Sequence, residues 1–156
     1  MFRTMRRFKQ QLSQAECEAV LSRAPRGVLA VHGEDGYPYA FPMNYLYRDG
    51  KLYFHCARAG HKLDALAADG RVSFCVMDEG FRKPGEWALN IQSVVLFGRV
   101  KKVDDAREAE EIIRQIGLKY YPNAQDVEEE IRKAGARAQV LELSVDHMTG
   151  KLVNES

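Results

Sequence analysis

The stretch Tyr53-Phe54-His55-Cys56-Ala57-Arg58-Ala59-Gly60-His61-Lys62-Leu63-Asp64-Ala65-Leu66 concentrates the chain's chemically versatile residues. Gly60, directly before a predicted helix, permits close backbone approach. The free amides and dipole of a helix start attract an anion, and Arg58, His61 and Lys62 gather cationic or donor groups beside them. That arrangement suits a phosphate, and one charge-assisted bond from Lys62 is worth about 1.5–3 kcal/mol. The same residues also fit an ordinary solvated helix start, and on their own they leave both readings open. His55, Cys56 and His61 match no familiar metal-ligand spacing, so no metal site is expected.

Other residues that could do chemistry have plainer readings. Trp87, after Gly85-Glu86, could stack on a bound molecule, but an aromatic entering a strand is expected in the core. His32 and His147 stand alone and read as structural or surface residues. Glu128-Glu129-Glu130 reads as a solvated helix face and Tyr120-Tyr121 as a helix-end packing pair. Cys17, Cys56 and Cys75 are odd in number and lack CxxC spacing, which points to small buried hydrophobes rather than a disulfide framework or zinc knuckle.

The elements that must position these residues are readable in outline. Ser13-Gln14-Ala15-Glu16 is a capping box that opens a helix over 13–24, and Pro25 and Gly27 end it. Gly27 to Gly33 reads as a strand. Glu34-Asp35-Gly36 turns it into a second strand over Tyr37–Tyr47, whose Pro38 and Pro42 require an edge or an irregularity. Arg48-Asp49-Gly50 leads to a third strand over Lys51–Cys56, completing an antiparallel meander. A short helix over 62–68 turns Leu63 and Leu66 inward. Strands over 71–77 and 91–103 follow, with Gly98 at a bulge or close approach. Asp104-Asp105 cap an amphipathic helix with Ala106, Ala109, Ile112, Ile113 and Ile116 on one face. An acidic helix over 124–134, a closing strand over 138–145 and a tail over 146–156 complete the chain. About six mainly antiparallel strands with flanking helices predict a small β-barrel, in a single domain over residues 1–156.

Composition narrows the class. Hydrophobic residues at 46% and charged residues at 29% are globular proportions. With 23 basic against 22 acidic residues, no global field draws the protein to nucleic acid or an anionic membrane, so any bound anion must be held locally. Neither a signal-peptide core nor an apolar run of membrane-spanning length is present, which predicts a cytoplasmic protein.

The run Asp35-Gly36-Tyr37-Pro38-Tyr39-Ala40-Phe41-Pro42-Met43-Asn44-Tyr45, then Asp49-Gly50-Lys51-Leu52-Tyr53-Phe54-His55, then Gly60-His61-Lys62, resembles the flavin-nucleotide-binding proteins that include nitroimidazole resistance proteins. These belong to the pyridoxamine 5'-phosphate oxidase superfamily. The motif series covers residues 35–62; a weaker similarity extends from about Met5 to Lys151, with Ser93 to Gly98 resembling the family's central barrel strand.

The resemblance implies an FMN-binding split-barrel homodimer with the flavin at the subunit interface. Backbone from Pro42 through Met43, Asn44 and Tyr45 would line the isoalloxazine, while His55, Ala57, His61 and Lys62 would approach the flavin or its phosphate. Ser93 would be a contact from the partner subunit. The implied activity is an oxidoreductase passing electrons from NADH or NADPH to a small acceptor such as a nitroaromatic, with His61 as hydrogen-bond donor or proton source. A non-catalytic flavin-binding or flavin-storage protein is the alternative. Pyridoxamine phosphate oxidases proper carry a C-terminal segment rich in arginine with a histidine and a tryptophan. Here the corresponding stretch is Asp146-His147-Met148-Thr149-Gly150-Lys151, so vitamin B6 oxidation is disfavoured.

Overall fold

The computed structural model describes residues 1–155. Helix α1, Gln14–Arg23, opens on the expected capping box: the Ser13 hydroxyl accepts from the Glu16 amide at 3.2 Å, and the Glu16 carboxylate accepts from the Ser13 amide at 2.7 Å. Its Cys17, Val20 and Leu21 are buried against the sheet. The strands are β1 Gly27–His32, β2 Pro38–Met43, β3 Leu46–Arg48, β4 Lys51–Ala57, β5 Arg71–Met77, β6 Leu89–Val103 and β7 Ala138–Glu155. They form one antiparallel sheet in the order β2-β1-β5-β6-β7-β4-β3.

The sheet therefore has seven strands rather than about six, and among the described residues no ladder closes it into a barrel. The extra strand arises because the expected single strand over Tyr37–Tyr47 breaks at Asn44-Tyr45 into β2 and β3, which lie at opposite edges. A continuous meander is thus not what forms. Pro38 and Pro42 sit on the edge strand β2, opposite His32 and Val28, where a missing amide donor costs no ladder bond. Since two residues join the edges, Met43 and Leu46 lie at most roughly 11 Å apart, and the sheet must roll until β2 and β3 approach.

Asp146 to Glu155 is not a tail but the second half of β7, paired with β6 from Phe97↔His147 through Leu89↔Glu155; Ser156 lies outside the described residues. The long β6 offers a backbone edge that a polar sequence can pair as well as an apolar one. Met148 and Leu152 pack on the core, and Gly150 between them lies where an added Cβ would meet Cys17 Sγ at 2.5 Å. Gly98 marks the predicted bulge, where the β6–β7 register shifts and leaves Asp146 unpaired.

Helix α2, His61–Ala68, buries Leu63 and Ala65 in the main core, while Leu66 is half-buried. Helices α3, Ala106–Tyr120, and α4, Ala124–Ala134, pack together. The Asp105 carboxylate accepts from the Glu108 amide at 2.8 Å and caps α3, whose Ile112 and Ile116 form a second apolar cluster with Tyr53, Val103 and Val140 on the outer face of the sheet. A Cβ at Gly117 would come within 2.7 Å of Val127 Cγ1, so this glycine sets the close α3–α4 approach. Among the described residues no helix is long and apolar enough to cross a membrane.

Candidate functional site

The alternation of β4 puts Leu52 and Phe54 in the core, leaving His55 on the outer face. The rolled sheet brings the end of β2 to the same place. Arg26, Pro42, Met43, Asn44 and His55 consequently wall a hollow of about 390 Å³. Arg26 Nε donates to Asn44 Oδ1 at 3.3 Å and ties the β1 approach to the β2–β3 connection. A second hollow of about 440 Å³ shares Asn44 and His55 and runs between α3 and α4. Both volumes fall in the range of small-molecule sites. His55 is open to solvent on one side, yet the surrounding wall desolvates its ring and pushes its pKa below the ordinary value, favouring the neutral imidazole.

The Gly60–α2 junction adjoins the first hollow through Met43. Gly60 has φ 137°, which a side-chained residue rarely adopts, and an added Cβ would meet nothing within 4 Å. No side chain caps the helix at Gly60. Lys62 is half-buried, with Nζ 3.8 Å from Met43 Sδ and 4.8 Å from the Phe41 ring centroid. His61 is exposed and stacks on Tyr39, ring centroids 4.2 Å apart. Arg58 turns away: its Nε donates to the Ala136 carbonyl at 2.9 Å.

Of the residues singled out in the sequence, Pro42, Met43, Asn44 and His55 therefore share one wall, with Lys62 reaching it through Met43. His61 and Ala57 flank it, Ala57 at the end of β4 opposite Ala138. Tyr45 turns inward and is fully buried, its hydroxyl donating to the Leu21 carbonyl at 2.5 Å. Ser93 lies on the outer face of β6 between Met77 and Lys151 and lines neither hollow. Trp87 is not in the core: it is 83% exposed, on the loop before β6.

Several residues of the site carry roles that the sequence did not suggest. Lys119 Nζ donates to the carbonyls of Ala24 at 3.1 Å and Tyr45 at 2.8 Å, and lies 4.0 Å from the Tyr45 ring centroid. Burial pulls its amine down to about 8. The Tyr120 hydroxyl accepts from the Tyr45 amide at 3.0 Å and is in contact with the carbonyls of Pro25 and Tyr45. Tyr120 is thus more than a packing residue: with Lys119 it holds the connection that carries Asn44 into both hollows. The available signal was helical phase, since Lys119 and Tyr120 continue the stripe of Ile112 and Ile116. Arg26, between Pro25 and Gly27, gave no comparable signal.

Solved structures share this architecture. A candidate 5-nitroimidazole antibiotic resistance protein from Bacteroides thetaiotaomicron superposes with a TM-score of 0.78 at 20% identity, covering 92% of this chain and 87% of that one. The conserved hypothetical protein Rv2991 from Mycobacterium tuberculosis gives 0.81 at 19% identity, covering 95% and 90%. An FAD-binding protein from Mesorhizobium loti gives 0.68 at 25% identity, covering 92% and 97%. None of the curated proteins matches this chain in sequence. The sequence profile described as pyridoxamine 5'-phosphate oxidase, however, matches residues 13–152, nearly the whole sheet with all four helices, and the chain belongs to that family.

Proposed function

We propose that this protein is a flavoprotein that holds FMN on the rolled sheet and passes electrons from NADH or NADPH to a small acceptor such as a nitroaromatic. The carrying observation is the continuity between the Arg26–His55 hollow and the uncapped start of α2, joined by Met43 and Lys62. The hollow suits a flat apolar ring bounded by a few polar groups, and the junction suits a phosphate, so the residues fit a flavin mononucleotide. Flavin, when bound, supplies hydride acceptance and onward electron transfer. Lys62 neutralises the phosphate, the wall from Pro42 to Asn44 orients the ring, and His55 packs beside it as a neutral hydrogen-bonding group. His61 is the proton source: its exposed ring is held by Tyr39 and faces solvent.

The flavin reading is supported by relatives of the same fold described as FAD-binding, and the acceptor by the fold-mate described in terms of 5-nitroimidazole resistance. Asp146 to Lys151 lies on β7, with His147 to Lys151 paired along β6, and lines neither hollow, which supports leaving pyridoxamine phosphate oxidation aside. The working unit is proposed to be a homodimer. Val28, Met77, Val95 and Phe97 are large apolar residues exposed on β1, β5 and β6, and Val28 pairs with Pro42 of the hollow. A second copy on that face would bring Ser93 of the partner subunit toward the flavin, and light scattering should then give twice the chain mass.

The test is the absorption spectrum of the purified protein with the mass of the cofactor released on denaturation, which separates FMN from FAD. Anaerobic bleaching by NADH or NADPH, followed by reoxidation with metronidazole, supports turnover. Bound flavin that neither nucleotide reduces points to a flavin-storage protein, and protein without flavin overturns the proposal.

A further inference from the structure

The hollow between α3 and α4 has a composition different from its neighbour's. Its floor is apolar, made by Ile113, Ile116, Val127 and Ile131, and it shares Asn44 and His55 with the adjoining Arg26–His55 hollow. Its rim is acidic. Asp126, Glu129 and Glu130 line it, against Lys133 as the one cation among the described lining residues. The neighbouring Glu128 is held by Arg114, which also binds Glu110 and Glu111, whereas none of the three rim carboxylates forms an ion pair among the described residues. The rim therefore keeps a negative excess, three carboxylates against the single Lys133. The wall position is fixed by the Gly117–Val127 contact, so the hollow is a standing feature of the helix pair.

We propose that this hollow is the acceptor pocket, and that its acidic rim selects a small flat aromatic that is cationic or neutral over one that is anionic. The inference rests on the flavoprotein reading above and adds the substrate class. An apolar floor accepts a flat ring by removing it from water, and the shared Asn44 and His55 wall places that ring beside the neighbouring hollow. The carboxylates stand where a substituent would project toward solvent. They favour a positive charge there and repel a negative one, through a high dielectric that keeps the effect moderate.

The experiment uses the full chain as purified, with no electron donor present. Binding of para-nitrobenzylammonium, para-nitrobenzyl alcohol and para-nitrobenzoate, nearly equal in size and different in charge, is measured by calorimetry and by perturbation of the flavin band. The ammonium compound should bind on the order of tenfold more tightly than the carboxylate, with the alcohol between, and added salt should narrow the gap. Glu129→Gln with Glu130→Gln should remove most of that gap while leaving the alcohol's affinity unchanged. Ala134→Phe, which fills the hollow, should weaken all three, with flavin content and circular dichroism as controls for folding. Equal affinities in the unmodified protein, a gap that survives the double substitution, or binding indifferent to Ala134→Phe would each overturn the proposal. Binding is read without turnover. Charge selection without nitro reduction therefore removes the reductase reading and leaves the pocket, while reduction without charge selection does the reverse.

Discussion

At the start of α2 the cationic and aromatic side chains have few partners, whereas at the end of α3 almost every polar group is taken. His61 touches Tyr39 and is otherwise open, Gly60 stands in open space, and Lys62 has a thioether and a ring for company. Lys119 and Tyr120, by contrast, serve the backbone of Ala24, Pro25 and Tyr45, 74 to 95 residues away in sequence. The first region adjoins the Arg26–His55 hollow through Met43 and the second lines the α3–α4 hollow through Tyr120, and they hold similar residue types. A side chain with unfilled hydrogen-bonding capacity beside a hollow is available to a ligand; one whose capacity is filled from within holds the shape that the ligand meets.

The largest test of that contrast is His61→Ala. A positioned proton donor contributes about 10²–10⁴-fold to a rate, so stopped-flow transfer of electrons to metronidazole should slow by that order with folding and flavin content retained. An unchanged rate would leave His61 a packing partner of Tyr39. Lys62→Ala comes next. Loss of one charge-assisted bond, about 1.5–3 kcal/mol, means FMN bound about ten- to a hundred-fold more weakly. Riboflavin, which lacks the phosphate, should be nearly indifferent, and an equal loss for both ligands would show general damage instead.

The α2 side was legible because its signals are local: a glycine, a helix start and three cationic or donor residues within five positions. The capping box at Ser13 and the bulge at Gly98 were legible for the same reason. The split at Asn44-Tyr45 was not, because the choice between one irregular strand and two edge strands depends on how a distant β6 and β7 widen the sheet. Asp146 to Glu155 was missed on similar grounds, since its strand pairing is dictated by the length of β6 more than by its own side chains. Trp87 was misplaced because aromatic character argues for burial, whereas its loop leaves it no neighbours to pack on. Lys119 illustrates the remaining kind of blindness: its helical phase was visible, but the carbonyls it meets come from two other parts of the chain.

Disturbing the α3 side should cost stability and leave phosphate recognition alone. Lys119→Met keeps the bulk of the side chain and removes two charge-assisted bonds, leaving the Ala24 carbonyl without this donor, for a loss of about 2 kcal/mol in urea unfolding at neutral pH. The pH dependence identifies the amine responsible. Burial lowers its pKa from 10.5 to about 8, so between those values the unfolded chain holds a proton that the folded chain has released. Stability of the unmodified protein should therefore rise with pH across that window relative to Lys119→Met, and parallel curves would mean that Lys119 does not titrate there.

The smallest expected effect, from Tyr120→Phe, separates the two regions most cleanly. The substitution removes one oxygen and retains the ring that lines the α3–α4 hollow. That oxygen accepts from the Tyr45 amide and is in contact with two carbonyls, but Lys119 continues to donate to the Tyr45 carbonyl, so only the Tyr45 amide and the Pro25 carbonyl lose a partner. Tyr120 is half-buried, and water can reach the vacated position, which limits the loss to about 1 kcal/mol rather than the full penalty of a stranded amide. The urea midpoint should fall accordingly with the slope unchanged, since the surface exposed on unfolding is the same. The ratio of FMN to riboflavin affinity should not move, because no group near Lys62 has changed. A shift in that ratio as large as the one expected for Lys62→Ala would mean that the α3 clamp and the α2 junction act as one unit, and the division drawn between them would fail.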